Sequence, residues 1–246
     1  MDAFAFHLLV TAVGLGFLHT VLGPDHYLPF VTLGRARGWT VRRALVVTGL
    51  CGLGHVASSL LLGGIGIAIG LGIGHIEGLE ERRGDAAAWT FVAIGVAYAL
   101  WGVRTARRHA RGLEVHAHGG HVHLHAGASH GHEHRHIAHP ATLVRAPVVR
   151  VPRDTTFWAL FLVFVLGPCE ALIPLFVLPA SEGRWGLALA TGLVFSATTV
   201  ATMLAVVGLA VAGTRRLSFG RLEPWSHSLA GGVIAASGLA ILFLGL

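Results

Sequence analysis

Residues 19–26 read His-Thr-Val-Leu-Gly-Pro-Asp-His and lie inside an apolar run that begins at Phe4. The run is long enough to cross a bilayer, where ionisable side chains are costly and mark function by default. On a continuous helix His19 and His26 would share one face, two turns apart. Gly23 and Pro24 predict instead that the helix breaks just before Asp25, and broken helices at membrane depth are how many transporters line an ion site. The simpler alternative makes Asp25 and His26 a helix cap at headgroup level and His19 an interior histidine.

The rest of the chain has the same character. Of 246 residues, 54% are hydrophobic and 12% charged, and the apolar residues come in long blocks rather than at amphipathic spacing, which excludes an ordinary soluble domain. The expected class is an all-α polytopic membrane protein whose first partner is the lipid bilayer. Cys51 and Cys169 both fall in apolar blocks, which argues against a disulfide framework or a four-cysteine zinc module. Met1-Asp2-Ala3-Phe4 has no basic segment, so the first block reads as a retained span and not a cleaved signal peptide. The net charge of +6 comes from arginine, whose distribution bears on membrane orientation; no nucleic-acid partner is needed to explain it.

Six spans are expected, at about residues 4–31, 44–71, 86–103, 155–180, 185–213 and 226–246. Fifteen arginines fall in the first, third and fifth connections. The second and fourth hold only Arg82, Arg83 and Arg184, beside Glu77, Glu80, Glu81, Asp85 and Glu182. The positive-inside rule then makes the odd-numbered connections cytoplasmic and puts both termini outside, with a bacterial inner membrane as the expected location.

An internal repeat is visible. Val-Leu-Gly-Pro-Asp25-His26 recurs as Val-Leu-Gly-Pro-Cys169-Glu170, and Thr48-Gly-Leu leads to His55 at the distance at which Thr191-Gly-Leu leads to Thr198. Three spans per half is an odd number, so the copies should be inverted, each with a broken first helix. The expected organisation is a first three-helix repeat over 1–103, a linker over 104–154 and a second repeat over 155–246. The linker carries eleven histidines, among them His116, His118, His121, His123, His125, His130, His132, His134 and His136. Its low apolar content predicts disorder, and its His-x-His pattern predicts buffering of borderline divalent ions; a solvating, pH-sensitive polar loop is the alternative.

Within the spans, His55 sits in a charge-free Gly-rich run and joins His19, Asp25 and His26 as an N,N,N,O set suited to a first-row divalent cation. From the other half come Glu170 and Cys169 at the matching break, with Thr198, Thr199 and Thr202 as neutral oxygens; Glu170 ranks above Cys169, because a lone cysteine is often a small buried hydrophobe. His7, His75 and His227 lie near span ends and read as interfacial.

The His19 and Gly-Pro-Asp25-His26 segment, then Leu33-Gly-Arg-Ala-Arg-Gly-Trp39, then Gly52-Leu-Gly-His55, resembles the nickel/cobalt transporter superfamily, particularly its UreH-like branch. The resemblance covers about the first third of the chain and is looser beyond it. It implies transport of Ni2+ or Co2+, with Zn2+ also admissible, and no tightly bound cofactor or enzymatic activity. The family signature is His-x4-Asp-His, whereas His19 stands one residue further from Asp25. The family includes importers and exporters, and placement of the histidine linker on the cytoplasmic side favours export. Two other classes are open: a metal-handling accessory or sensor for nickel-enzyme maturation, and an intramembrane thiol redox carrier, suggested by a Pro-Cys at the second break but lacking a cysteine at the first. No phosphate-binding Gly-x4-Gly-Lys-Ser/Thr loop occurs, and self-association is left open.

Overall fold

A computed structural model describes residues 2–70, 73–110, 113–118, 121–126, 153–169, 171–214 and 220–244. Its body is helical: α1 Ala3–Leu22, α2 Leu28–Ala36, α3 Val41–Ala68, α4 Ile73–Ala110, α5 Arg153–Leu166, α6 Leu172–Ser181, α7 Trp185–Thr214 and α8 Ser226–Leu244. Five stretches are long and apolar enough to cross a membrane: Ala3–Leu22, Val41–Ala68, Gly74–Arg108, Trp185–Thr214 and Leu222–Leu244. Large apolar side chains face outward, with Leu209 77%, Phe243 79% and Leu244 70% exposed, the reverse of a water-soluble surface. The chain is a multi-pass membrane protein.

Two expected spans differ from the sequence reading. The fourth is two short helices, α5 and α6, separated by residues 167–171, and neither reaches spanning length by itself. The third is much longer than residues 86–103: α4 has 38 residues, about 57 Å at 1.5 Å per residue. Its first turns include Glu77, Glu80, Glu81, Arg82, Arg83 and Asp85, which sequence placed in an outside loop. The buried positions Ile76, Glu80, Gly84, Ala87, Phe91 and Gly95 recur every three or four residues, so one stripe continues through the charged stretch and keeps it helical.

The linker also departs from expectation over part of its length. Leu113–His118 and His121–Ala126 form an antiparallel hairpin that pairs His116 with His123 and His118 with His121. Apolar residues and histidines alternate there with the period of a strand. His130, His132, His134 and His136 lie outside the described residues.

Small residues set the helix packing. α1 runs along α7 and buries only Ala5, Ala12, Gly16 and Thr20, leaving its large side chains for lipid. α4 runs along α8 so closely that a β-carbon on Gly95 would lie 2.3 Å from the Ala235 nitrogen, and one on Gly231 would lie 2.3 Å from the Ala99 nitrogen. Such backbone-to-backbone contact is how helices associate where lipid is as apolar as leucine. α3 lies between α5 and α7, and its midpoint carries His55.

Candidate metal centre

α1 stops because Pro24 cannot donate a backbone hydrogen bond. The Gly23 N–H still bonds to the His19 carbonyl at 3.0 Å, and Pro24–His26 then forms one 3-10 turn. This turn folds His26 back, so that its ring centroid is 4.6 Å from that of His19. Along an unbroken helix those residues would be separated by a rise of about 10.5 Å.

His55 arrives from α3, its ring centroid 5.2 Å from His26 and 6.4 Å from His19. One ligand atom from each of the three histidines lies within 4.8 Å of the others. A tetrahedral site with metal–nitrogen bonds near 2.0–2.1 Å has edges of roughly 3.4 Å, so bound ion would draw the rings together by rotation about their side-chain bonds.

Second contacts fix which nitrogen faces the centre. His55 Nδ1 is 3.2 Å from the Phe164 carbonyl, and His26 Nδ1 is 3.2 Å from both the Gly23 carbonyl and Asp25 Oδ1. Oxygens of these kinds accept, so Nδ1 donates in both rings and Nε2 presents its lone pair. Both Nε2 atoms are buried without a hydrogen-bond partner among the described residues, an arrangement that ordinarily costs stability unless a ligand uses it. Asp25 Oδ1 thus holds His26 through the ring nitrogen opposite Nε2, the place of an orienting carboxylate.

The other half supplies a sulfur. Cys169 Sγ is 3.8 Å from His19 Nε2 and the residue is fully buried; Glu170, which sequence ranked above it, lies outside the described residues. The two repeated glycines play matching parts. A β-carbon on Gly23 would lie 2.6 Å from His26 Nδ1, and one on Gly167 would lie 3.2 Å from His55 Nδ1. Each break brings bare backbone against one imidazole of the same centre.

Of the three threonines, Thr198 and Thr202 spend their hydroxyls on the Val194 and Thr198 carbonyls. The Thr199 hydroxyl is buried and has no partner among the described residues, beside Gly16 where α1 crosses α7. His227 hydrogen-bonds Tyr98 at 2.7 Å. Cys51 packs with Phe30 and Met203, whereas Cys169 belongs to a different cluster with Ala12 and Leu172, and both thiols are free.

Sequence missed Glu80 and Arg83. Their side chains form an ion pair beside the second break, with Glu80 only 1% exposed. The legible signal was the apolar stripe running through them, outweighed by the local density of charge. Comparison of the chain with family models, curated proteins and solved structures finds no match.

Proposed function

We propose that this protein moves divalent first-row transition-metal ions across the membrane, with Ni2+ or Co2+ as substrate and Zn2+ admissible. The observation that carries this is the convergence of three histidines, His26 and His55 buried and His19 partly so, with two Nε2 atoms that have no hydrogen-bond partner among the described residues. Their place supports it: His55 is 14 residues from one end of α3 and 13 from the other, which is mid-membrane for a helix that spans. Imidazole with at most one thiolate suits Ni2+, Co2+ and Zn2+ and disfavours Mg2+ or Ca2+. The resemblance of the first third to the nickel/cobalt transporter superfamily points the same way.

The element order supports two inverted repeats. Each half has a helix, a Gly-Pro break, a short helix and two long helices, which counts as three crossings per half once α5 and α6 are taken as one broken span. On that plan the histidine linker is cytoplasmic and raises local ion concentration at a cytoplasmic mouth, which favours export. Placement of the two cysteines in separate clusters speaks against dithiol exchange.

Purified protein in liposomes, loaded with a metal-quenched dye and challenged with Ni2+, Co2+, Zn2+, Mn2+ and Fe2+, tests the proposal. Flux of the first ions that is lost in His55→Ala is the expected result. Tight binding without flux would identify a sensor or accessory protein instead.

A further inference from the structure

We propose that Glu80 and Arg83 are positioning residues of the metal centre: they hold the break between α5 and α6 so that Cys169 and the Phe164 carbonyl meet the histidines. This rests on the reading of the histidine cluster as a metal site. The pair caps both open ends of the break. Arg83 donates to the Val165 carbonyl at 2.7 Å and to the Gly167 carbonyl at 3.4 Å, groups that the end of α5 leaves without helical partners. Glu80 accepts from the Cys169 N–H at 3.2 Å, the first amide beyond Pro168. Cation on carbonyls and anion on an amide is the polarity that helix ends favour.

The same pair grips α3 one turn beyond His55. Arg83 donates to Ser58 Oγ at 2.8 Å, and Ser59 Oγ donates to Glu80 at 3.3 Å. Gly84 completes the contact, since a β-carbon there would lie 2.8 Å from the Pro168 ring. Ser59 is four residues past His55, about 6 Å along the helix, so the pair sits within the hydrocarbon layer if His55 is central. An ion pair at that depth is a poor way to gain stability, because apolar residues of similar volume often do as well. What it supplies is direction: α3, α4 and the break are tied together at the backbone groups flanking the two contacts to the site, Phe164 to His55 and Cys169 to His19.

The test uses full-length protein with Cys51→Ser, so that Cys169 is its only thiol. The double variant Glu80→Gln/Arg83→Met removes both charges of the pair together, and Glu80→Gln alone serves if the double variant fails to assemble. Alkylation of Cys169 by a membrane-permeant maleimide should be about tenfold faster once the break is released. Co2+ affinity should fall about tenfold or more, as for loss of an outer-shell partner, and thiolate-to-cobalt charge-transfer absorption should weaken while the ligand-field bands of histidine coordination persist. A merely structural pair would leave that spectral split unmoved in protein that remains monodisperse. Alkylation and cobalt spectra both indistinguishable from the parent would overturn the proposal. The alkylation arm needs no metal, so a parent that binds no cobalt would sink the metal-site reading while alkylation still decides whether the pair holds the break.

Discussion

Replacing Asp25 by Asn separates a metal ligand from a residue that orients one. Asp25 Oδ1 accepts from His26 Nδ1 at 3.2 Å, and the Gly23 carbonyl lies at the same distance from that nitrogen. Asn retains an acceptor in nearly the same place and removes the charge. A hydrogen bond to a charged group contributes about 1.5–3 kcal/mol and a neutral one about 0.5–1.5, so the loss is about 1–1.5 kcal/mol, or roughly tenfold in affinity. Asp25→Ala removes the side-chain acceptor as well, but the Gly23 carbonyl still holds the ring, which keeps the effect near the hundredfold end of outer-shell substitutions. His26→Ala removes the Nε2 itself and should abolish measurable binding. Titration of the purified variants with Co2+, followed by absorption and by calorimetry, reads all three. The rank order parent, Asn, Ala, His26→Ala is expected. Asp25→Asn as damaging as His26→Ala would mean that Asp25 touches the ion, and Asp25→Asn equal to the parent would mean that the contact tunes nothing.

Gly23→Ala should weaken Co2+ binding sharply, because its β-carbon would sit 2.6 Å from His26 Nδ1; Gly14→Ala, with nothing within 4 Å, should bind normally and gain up to about 1 kcal/mol of helix stability, read by thermal melting in detergent. Asp2 caps α1 through the Ala5 N–H and pairs with Arg184, and these contacts, the amide first, hold its carboxyl below the ordinary 3.8. The cap is therefore fully present above that value and is lost as pH falls through the lowered one; hydrogen exchange of the first turn of α1 should rise over that interval in the parent, and Asp2→Asn should abolish the pH dependence. A cysteine replacing Ser129, with Cys51 and Cys169 removed, should resist impermeant reagents in intact cells and react in inverted vesicles; the opposite pattern would reverse the orientation. Deletion of residues 115–139 should reduce efflux at low internal metal and spare it at saturation, as measured by initial rates.

The membrane class was legible because it needs only run length and composition, which the long apolar blocks on either side of the histidine linker display. Both helix breaks were legible for a local reason: Gly23-Pro24 and Gly167-Pro168 interrupt a helix wherever they occur. His19, His26 and His55 stood out because an imidazole in an apolar run has few structural excuses. The full length of α4 was not legible, since charge clusters normally signal water, and only pairing of Glu80 with Arg83 against polar backbone makes that stretch compatible with a packed helix.

Sequence by itself thus determined that the chain crosses a membrane, where two of its helices break and which imidazoles lie at depth. Tertiary structure alone decided that His26 turns back onto His19, that Asp25 holds a ring from behind, that Cys169 faces the histidines, and that a pair on α4 holds the second break. The reason is geometric. A break frees backbone groups by local chemistry, but the direction in which the chain leaves it is set by the neighbouring helices, whose close approach depends on small residues far apart in sequence, such as Gly16 against Thr199 and Gly84 against Pro168.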